Sequence, residues 1–96
     1  MADEGGAPPD KSFFDRADAF LGVANGQLGE TPAGQVSASM MFATARFNAF
    51  VAQAQGLPPG EVDEETVRYF VGEYETMLRE NLGQVLSARQ VKGDPA

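Results

Sequence analysis

One stretch of this sequence is almost free of charge, and it limits the folds that are open to the chain. Between Glu30 and Glu61 the only charged residue is Arg46. A helix that packs on one side of a globular domain normally carries charged residues on its other side. A stretch without them is expected to be covered on more than one side, either by the rest of the chain or by another molecule.

The spacing in this stretch predicts one helix from about residue 32 to residue 55, apolar on two sides. Thr31 and Pro32 have the order of an N-cap followed by proline at the first helical position, and the Gly/Pro sequence at 56–60 ends the segment. At about 100° per residue, one face carries the main stripe of Val36, Met40, Ala43, Phe47, Phe50, Val51 and Ala54. The opposite face carries Ala38, Met41, Phe42, Ala45, Ala49 and Ala52.

Two further segments have helical spacing. The first runs from about Ser12 to Leu28, with Ser12 as the predicted N-cap and Asp15 three positions later. The third opens at Asp63, with two glutamates in its first turn, where the helix dipole favours negative charge. Its apolar stripe has the cleanest helical period in the chain: Val67, Phe70, Val71, Tyr74, Met77, Leu78, Leu82 and Val85.

Three apolar stripes without strand alternation predict an all-α fold, either a three-helix bundle or a helical layer with disordered termini. We expect a single helical domain over residues 12–86, a disordered tail over 1–11 and a C-terminal tail over 87–96 that frays. A chain of 96 residues is long enough for one core and too short for two. Such a domain is only marginally stable alone, so a second copy or a partner is plausible from the outset.

The composition argues against most kinds of catalytic, metal-binding and nucleic-acid-binding site. The chain has no cysteine and no histidine, which excludes disulfides, thiol nucleophiles and Ser-His-Asp triads and argues against zinc. Its net charge of −7 and scattered basic residues argue against nucleic acid and anionic membranes. We therefore predict no catalytic residue, no cofactor and no metal. Neither a secretory signal nor an apolar run of about 18 residues is present, and we expect a cytoplasmic protein.

Three segments of the sequence carry a family resemblance. They are FFDRADAF at 13–20, the central stretch at 34–51 and the segment at 69–82, and the most distinctive element is ARFNAF at 45–50. Over residues 13–82 they resemble a small bacterial family known only as a domain of unknown function, family 3144. The Gly/Pro-rich loop at 56–60 departs from the family pattern. The resemblance implies no activity, cofactor or active site.

The alanine-rich face of the second helix is the predicted contact surface. Small residues let two backbones approach closely, while Met41 and Phe42 fill the edges. We expect a homodimer through this face; a layered monomer and an unidentified protein partner are the alternatives. The candidate interaction residues are Ala38, Met41, Phe42, Ala45, Arg46, Asn48, Ala49 and Ala52.

Three polar residues are candidates for specific contacts. Arg46 has two interpretations. It either presents its guanidinium to an anionic ligand or partner carboxylate, or forms an ion pair with Asp15, Asp18 or a glutamate of the third helix. Asn48 and Asn81 are predicted to form interhelical hydrogen bonds.

The acidic residues at 61–65 are either a solvated helix start or a site for a divalent cation, and the first interpretation is favoured. Tyr69 is predicted to lie opposite the third stripe, as an ordinary surface aromatic or as a contact point.

The predicted function is a non-enzymatic helical interaction or assembly module that self-associates through the helix at 32–55. The alternative is a small-molecule binding protein or accessory subunit, with an apolar pocket among the phenylalanines, Arg46 at its mouth and an amphipathic anion as ligand. An acidic inhibitor that mimics nucleic acid and an enzyme that uses only carboxylates are weaker alternatives.

Overall fold

The computed structural model describes residues 9–84, and within them the chain forms three α-helices and no β-strand. α1 is Lys11–Gln27, α2 is Ala33–Ala54 and α3 is Glu64–Leu82. The all-α class predicted from the sequence is confirmed. Residues 1–8 of the predicted N-terminal tail, the predicted C-terminal tail and the last two residues of the predicted domain lie outside the described residues.

The chain divides into two compact units, and the boundary falls between Ala43 and Thr44, inside α2. Among the described residues, the first unit holds α1 and the N-terminal part of α2. The second unit holds the C-terminal part of α2, the loop at 55–63 and α3. α2 itself is one continuous helix of 22 residues.

α1 begins at Asp10, which is its N-cap. The Asp10 carboxylate accepts a hydrogen bond from the backbone N–H of Phe13 at 2.9 Å and another from the hydroxyl of Ser12 at 3.0 Å. These two bonds lower the pKa of Asp10 below its ordinary value. The prediction that Ser12 is the cap is therefore wrong: a carboxylate accepts charge-assisted hydrogen bonds that are stronger than those a neutral hydroxyl accepts. The earlier start also allows an ion pair from Lys11 to Asp15 at 2.9 Å.

In the first unit the protected positions lie on one side of each helix. On α1, Ala17, Ala24 and Leu28, the residue that follows the helix, are half-buried at i, i+7 and i+11. On α2, Val36 is 6% exposed and Met40, one turn later, is half-buried. Small side chains on the protected side of α1 allow close helix packing, but they leave little apolar area buried.

α2 starts one residue later than the sequence predicts. Pro32 lies directly before the first helical residue, and its carbonyl oxygen accepts hydrogen bonds from the backbone N–H of Gln35 at 3.0 Å and of Val36 at 3.2 Å. Proline still serves the helix start, because it has no N–H to leave unsatisfied and its φ suits the helix.

The C-terminus of α2 is a Schellman motif. The N–H of Leu57 donates to the carbonyl oxygen of Ala52, and the N–H of Gly56 donates to that of Gln53, both at 3.1 Å. Gly56 has φ of 118°, a left-handed conformation that favours glycine. The loop that follows α2 thus starts with a standard helix stop.

The rest of this loop is a tight turn followed by the cap of α3. The N–H of Glu61 donates to the carbonyl oxygen of Pro58 at 3.2 Å, with Pro59 and Gly60 (φ 86°) at the central positions, as in a type II turn. Asp63 then accepts hydrogen bonds from the Thr66 backbone N–H at 2.9 Å and the Thr66 hydroxyl at 2.8 Å. The predicted helix start at Asp63 is confirmed, with Glu64 and Glu65 in the first turn.

We expect opposite effects from alanine at two glycines. A Cβ added at Gly56 or Gly72 has no neighbouring atom within 4 Å, so the effect of each substitution depends on the backbone conformation alone. Gly56→Ala forces a side chain into the left-handed region and should lower the free energy of unfolding by about 1–2 kcal/mol. Gly72→Ala, inside α3, should raise it by about 1 kcal/mol. Urea unfolding at one fixed protein concentration measures both; equal stability of Gly56→Ala and wild type would contradict the turn.

The cap of α3 should make stability depend on pH. The Thr66 hydroxyl, followed by the Thr66 N–H, lowers the pKa of Asp63 below its ordinary value of 3.8. A lowered folded-state pKa stabilises the fold above about pH 3.8, and this contribution is lost as the pH falls through the folded pKa.

Asp63→Ala should lower Tm by roughly 4–8 °C at pH 7, whereas Asp63→Asn keeps a capping oxygen. Thermal melts of wild type and Asp63→Asn from pH 7 to pH 2 should show a Tm difference that shrinks at acid pH. A difference independent of pH would count against the charged cap.

Candidate interaction surface

Very little of the described chain is buried. Between residues 9 and 84 only Val36 and Ala52 are buried, each 6% exposed, and no large side chain is fully enclosed. Four large apolar side chains of α2 are more than half exposed: Met41, Phe42, Phe47 and Phe50. The helix with the fewest charges therefore presents several large apolar side chains to water.

In the second unit the protected side of α2 coincides only partly with the main stripe. Val51, a member of the stripe, is half-buried together with Asn48, and Ala52 is buried, at i+3, i and i+4. Phe47 and Phe50, which belong to the main stripe, are 66% and 56% exposed. Periodicity found two apolar faces on this helix, but it contains no signal that tells which residues the chain itself covers.

The eight candidate interaction residues fall into two groups. Six are exposed: Ala38, Met41, Phe42, Ala45, Arg46 and Ala49. Asn48 is half-buried, and Ala52 is buried where the chain turns back at Gly56 and the Leu57 N–H reaches the Ala52 carbonyl oxygen. We define the α2 surface as these six exposed residues. Phe47 and Phe50 are also exposed, but they belong to the main stripe on the other side of the helix.

The α2 surface differs from the rest of the chain in charge. Arg46 is its only charged residue, and no acidic residue lies between Glu30 and Glu61. α1 and α3 carry exposed carboxylates on their surfaces, including Asp15 and Glu75 in ion pairs. Two acidic chains can approach each other through the α2 surface at the smallest electrostatic cost.

Comparison with known families assigns the chain. The sequence model of a family described as a protein of unknown function (DUF3144) matches residues 13–86. The chain belongs to the DUF3144 family. The match contains α2 and α3 and all but the first two residues of α1, and the resemblance noted in the sequence is confirmed. No curated protein and no solved structure matches the chain.

The two asparagines of this DUF3144 protein behave differently from the prediction. The Asn81 amide donates to the carbonyl oxygen of Met77, one turn back in its own helix, at 2.8 Å. The predicted interhelical bond of Asn81 is therefore wrong, since a side-chain amide on a helix can reach the carbonyl at i−4. For Asn48 no side-chain hydrogen bond is present within residues 9–84. The predicted ion pair of Arg46 stays a prediction.

Acidic side chains in this DUF3144 protein serve local structure. Asp10 and Asp63 cap helices, and the Arg79 guanidinium donates to the Glu75 carboxylate at 2.8 Å. Throughout residues 9–84 no group of three or more acidic side chains is placed to hold a metal ion. None of the helices in that range has the length and apolar character needed to cross a bilayer. Tyr69 packs edge-on against its neighbour Phe70, with ring centroids 5.1 Å apart.

Proposed function

We propose that this DUF3144 protein is a non-enzymatic helical assembly module that binds a second copy of itself through the α2 surface. The observation that carries the proposal is the exposure of Met41 and Phe42 beside exposed alanines, on a helix with a single charged residue. Soluble proteins rarely leave a contiguous apolar surface of this kind in water.

The small amount of buried apolar surface supports association. Burial of apolar side chains is the main favourable term in folding. In the described part of the chain only Val36 and Ala52 are buried, and many large apolar side chains are exposed. Association would bury the side chains that the single chain leaves in water.

The size of the α2 surface fits a second copy. Met41 and Phe42 are 54% and 64% exposed. If a fully exposed side chain of this size presents about 200 Å², these two offer roughly 240 Å² per chain. Two copies would then bury about 480 Å² through these side chains, a substantial part of the about 1,200 Å² of a small specific interface. The exposed alanines on the same face would supply part of the remainder.

Charge also favours a second copy at this surface. Each chain carries a net charge of −7, so self-association through faces rich in carboxylates is opposed by repulsion. The α2 surface avoids this cost because it contains no acidic residue. The non-enzymatic part of the proposal is supported by the lack of histidine and cysteine, the most versatile catalytic side chains.

We expect a glutamate on the α2 surface to dissociate the dimer. Ala49 is exposed, so Ala49→Glu introduces no buried charge in the single chain. In a dimer the charge is buried at the interface and should weaken association by at least about tenfold. Sedimentation velocity at micromolar concentration should show a dimer for wild type and a smaller species for Ala49→Glu; Ala45→Glu should act alike.

Ala43→Glu is the matched control. It makes the same substitution in the same helix, at an exposed alanine of the main stripe on the side opposite the α2 surface. This variant should sediment like wild type. If Ala49→Glu also loses helicity, raising the protein concentration should restore it by mass action. A wild-type chain that sediments as a monomer would refute the proposal.

A folded state that depends on association should have a concentration-dependent melting temperature. We expect Tm to rise by roughly 3–6 °C for each tenfold increase in protein concentration, because a dimer gains stability by mass action. Circular dichroism melts between about 1 and 100 µM, repeated on cooling to establish reversibility, measure this shift. A constant Tm over that range would be the behaviour of a stable monomer.

A further inference from the structure

α3 carries a second exposed apolar surface, which lies outside the α2 surface. Its predicted stripe is present in the structure, and apart from the half-buried Phe70 its described members are exposed. Val71 and Leu82 are the most open, at 60% and 75%. We define the α3 stripe as Val67, Phe70, Val71, Tyr74, Met77, Leu78 and Leu82.

The two borders of the α3 stripe differ in charge. At about 100° per residue, one border carries Glu64, Arg68, Glu75 and Arg79, two acids and two bases. The Arg79–Glu75 ion pair at 2.8 Å joins two of them. This border is close to neutral.

The other border carries Glu73 and Glu80 and no basic residue. The two glutamates are seven positions apart, about 10.5 Å along the helix, and both are exposed. Neither has an ion-pair partner within the described part of the chain. The stripe is therefore an apolar surface with negative charge along one edge only.

We propose that the α3 stripe binds a basic amphipathic helix of another protein. The apolar side of that helix would cover Val71, Tyr74 and Leu78, and lysines or arginines one heptad apart would face Glu73 and Glu80. This is the helix-in-groove type of recognition, in which apolar anchors supply affinity and charges at the border set the orientation.

The charges count against a second copy of this chain on the α3 stripe. In an antiparallel pair of identical helices, equal borders face each other, so Glu73 and Glu80 of one copy would oppose those of the other. In a parallel pair they would face the neutral border and gain little. A basic helix is the occupant that turns this border into a favourable contact.

A designed peptide tests this proposal on the full chain. The probe is an 18-residue fluorescent helix of leucine and lysine, with leucines at i, i+3 and i+4 and lysines along both borders. Its binding is followed by fluorescence anisotropy. Glu73→Lys combined with Glu80→Lys should weaken binding at least about tenfold. The same double variant should gain binding to a peptide with glutamates in place of the lysines, an outcome that a merely misfolded variant would not produce.

The matched control is Glu30→Lys combined with Glu61→Lys. It makes the same change in net charge at two exposed loop positions outside the helices, and it should bind the basic peptide within about twofold of wild type. Val71→Thr, nearly isosteric, should weaken binding severalfold through loss of apolar contact.

The outcomes separate this proposal from self-association through α2. At a concentration where it is as helical as wild type, Ala49→Glu should bind the basic peptide as wild type does, whether or not it dimerises. Equal losses in the two lysine double variants would mean general charge attraction and overturn the proposal. So would absence of binding at 100 µM peptide, loss of binding in helical Ala49→Glu, or cross-linking of two wild-type chains through α3.

Discussion

The structure depends on the burial of apolar side chains, and the described part of the chain leaves many of its large apolar side chains exposed. Val36 and Ala52 are its only buried residues, while phenylalanines on α1 and α2 remain in water. Apolar burial is the main favourable term in folding, and nothing else between residues 9 and 84 replaces it. The two helix caps and two exposed ion pairs are local, and each contributes little to global stability.

Charge separates the exposed apolar areas into two kinds. The α2 surface has one basic residue and no acid, whereas the α3 stripe has acidic residues along one border. Two identical acidic chains meet most easily where carboxylates are missing, and a basic partner binds most easily where they are present. The two proposed contacts are therefore complementary, because one surface favours a like chain and the other an unlike one.

Much of the local structure follows from short sequence patterns. Asp63 before two glutamates predicted the start of α3, and Gly56 before two prolines predicted the end of α2. The α1 start was placed two residues late, since Asp10 and Ser12 are both good caps and spacing does not rank them. The Asn81 error has a similar origin: a carbonyl one turn back is as near as any neighbouring helix.

The sequence by itself determined the helical class, the approximate helix limits, the apolar periodicities and the absence of cysteine and histidine. These depend on interactions among residues a few positions apart, or on composition alone. Only the tertiary structure decided which side of each helix is covered. Asn48, Val51 and Ala52 are protected while Phe47 and Phe50 are exposed. Helical spacing defines faces, whereas burial depends on residues distant in the chain, or on another molecule, and no local pattern encodes it.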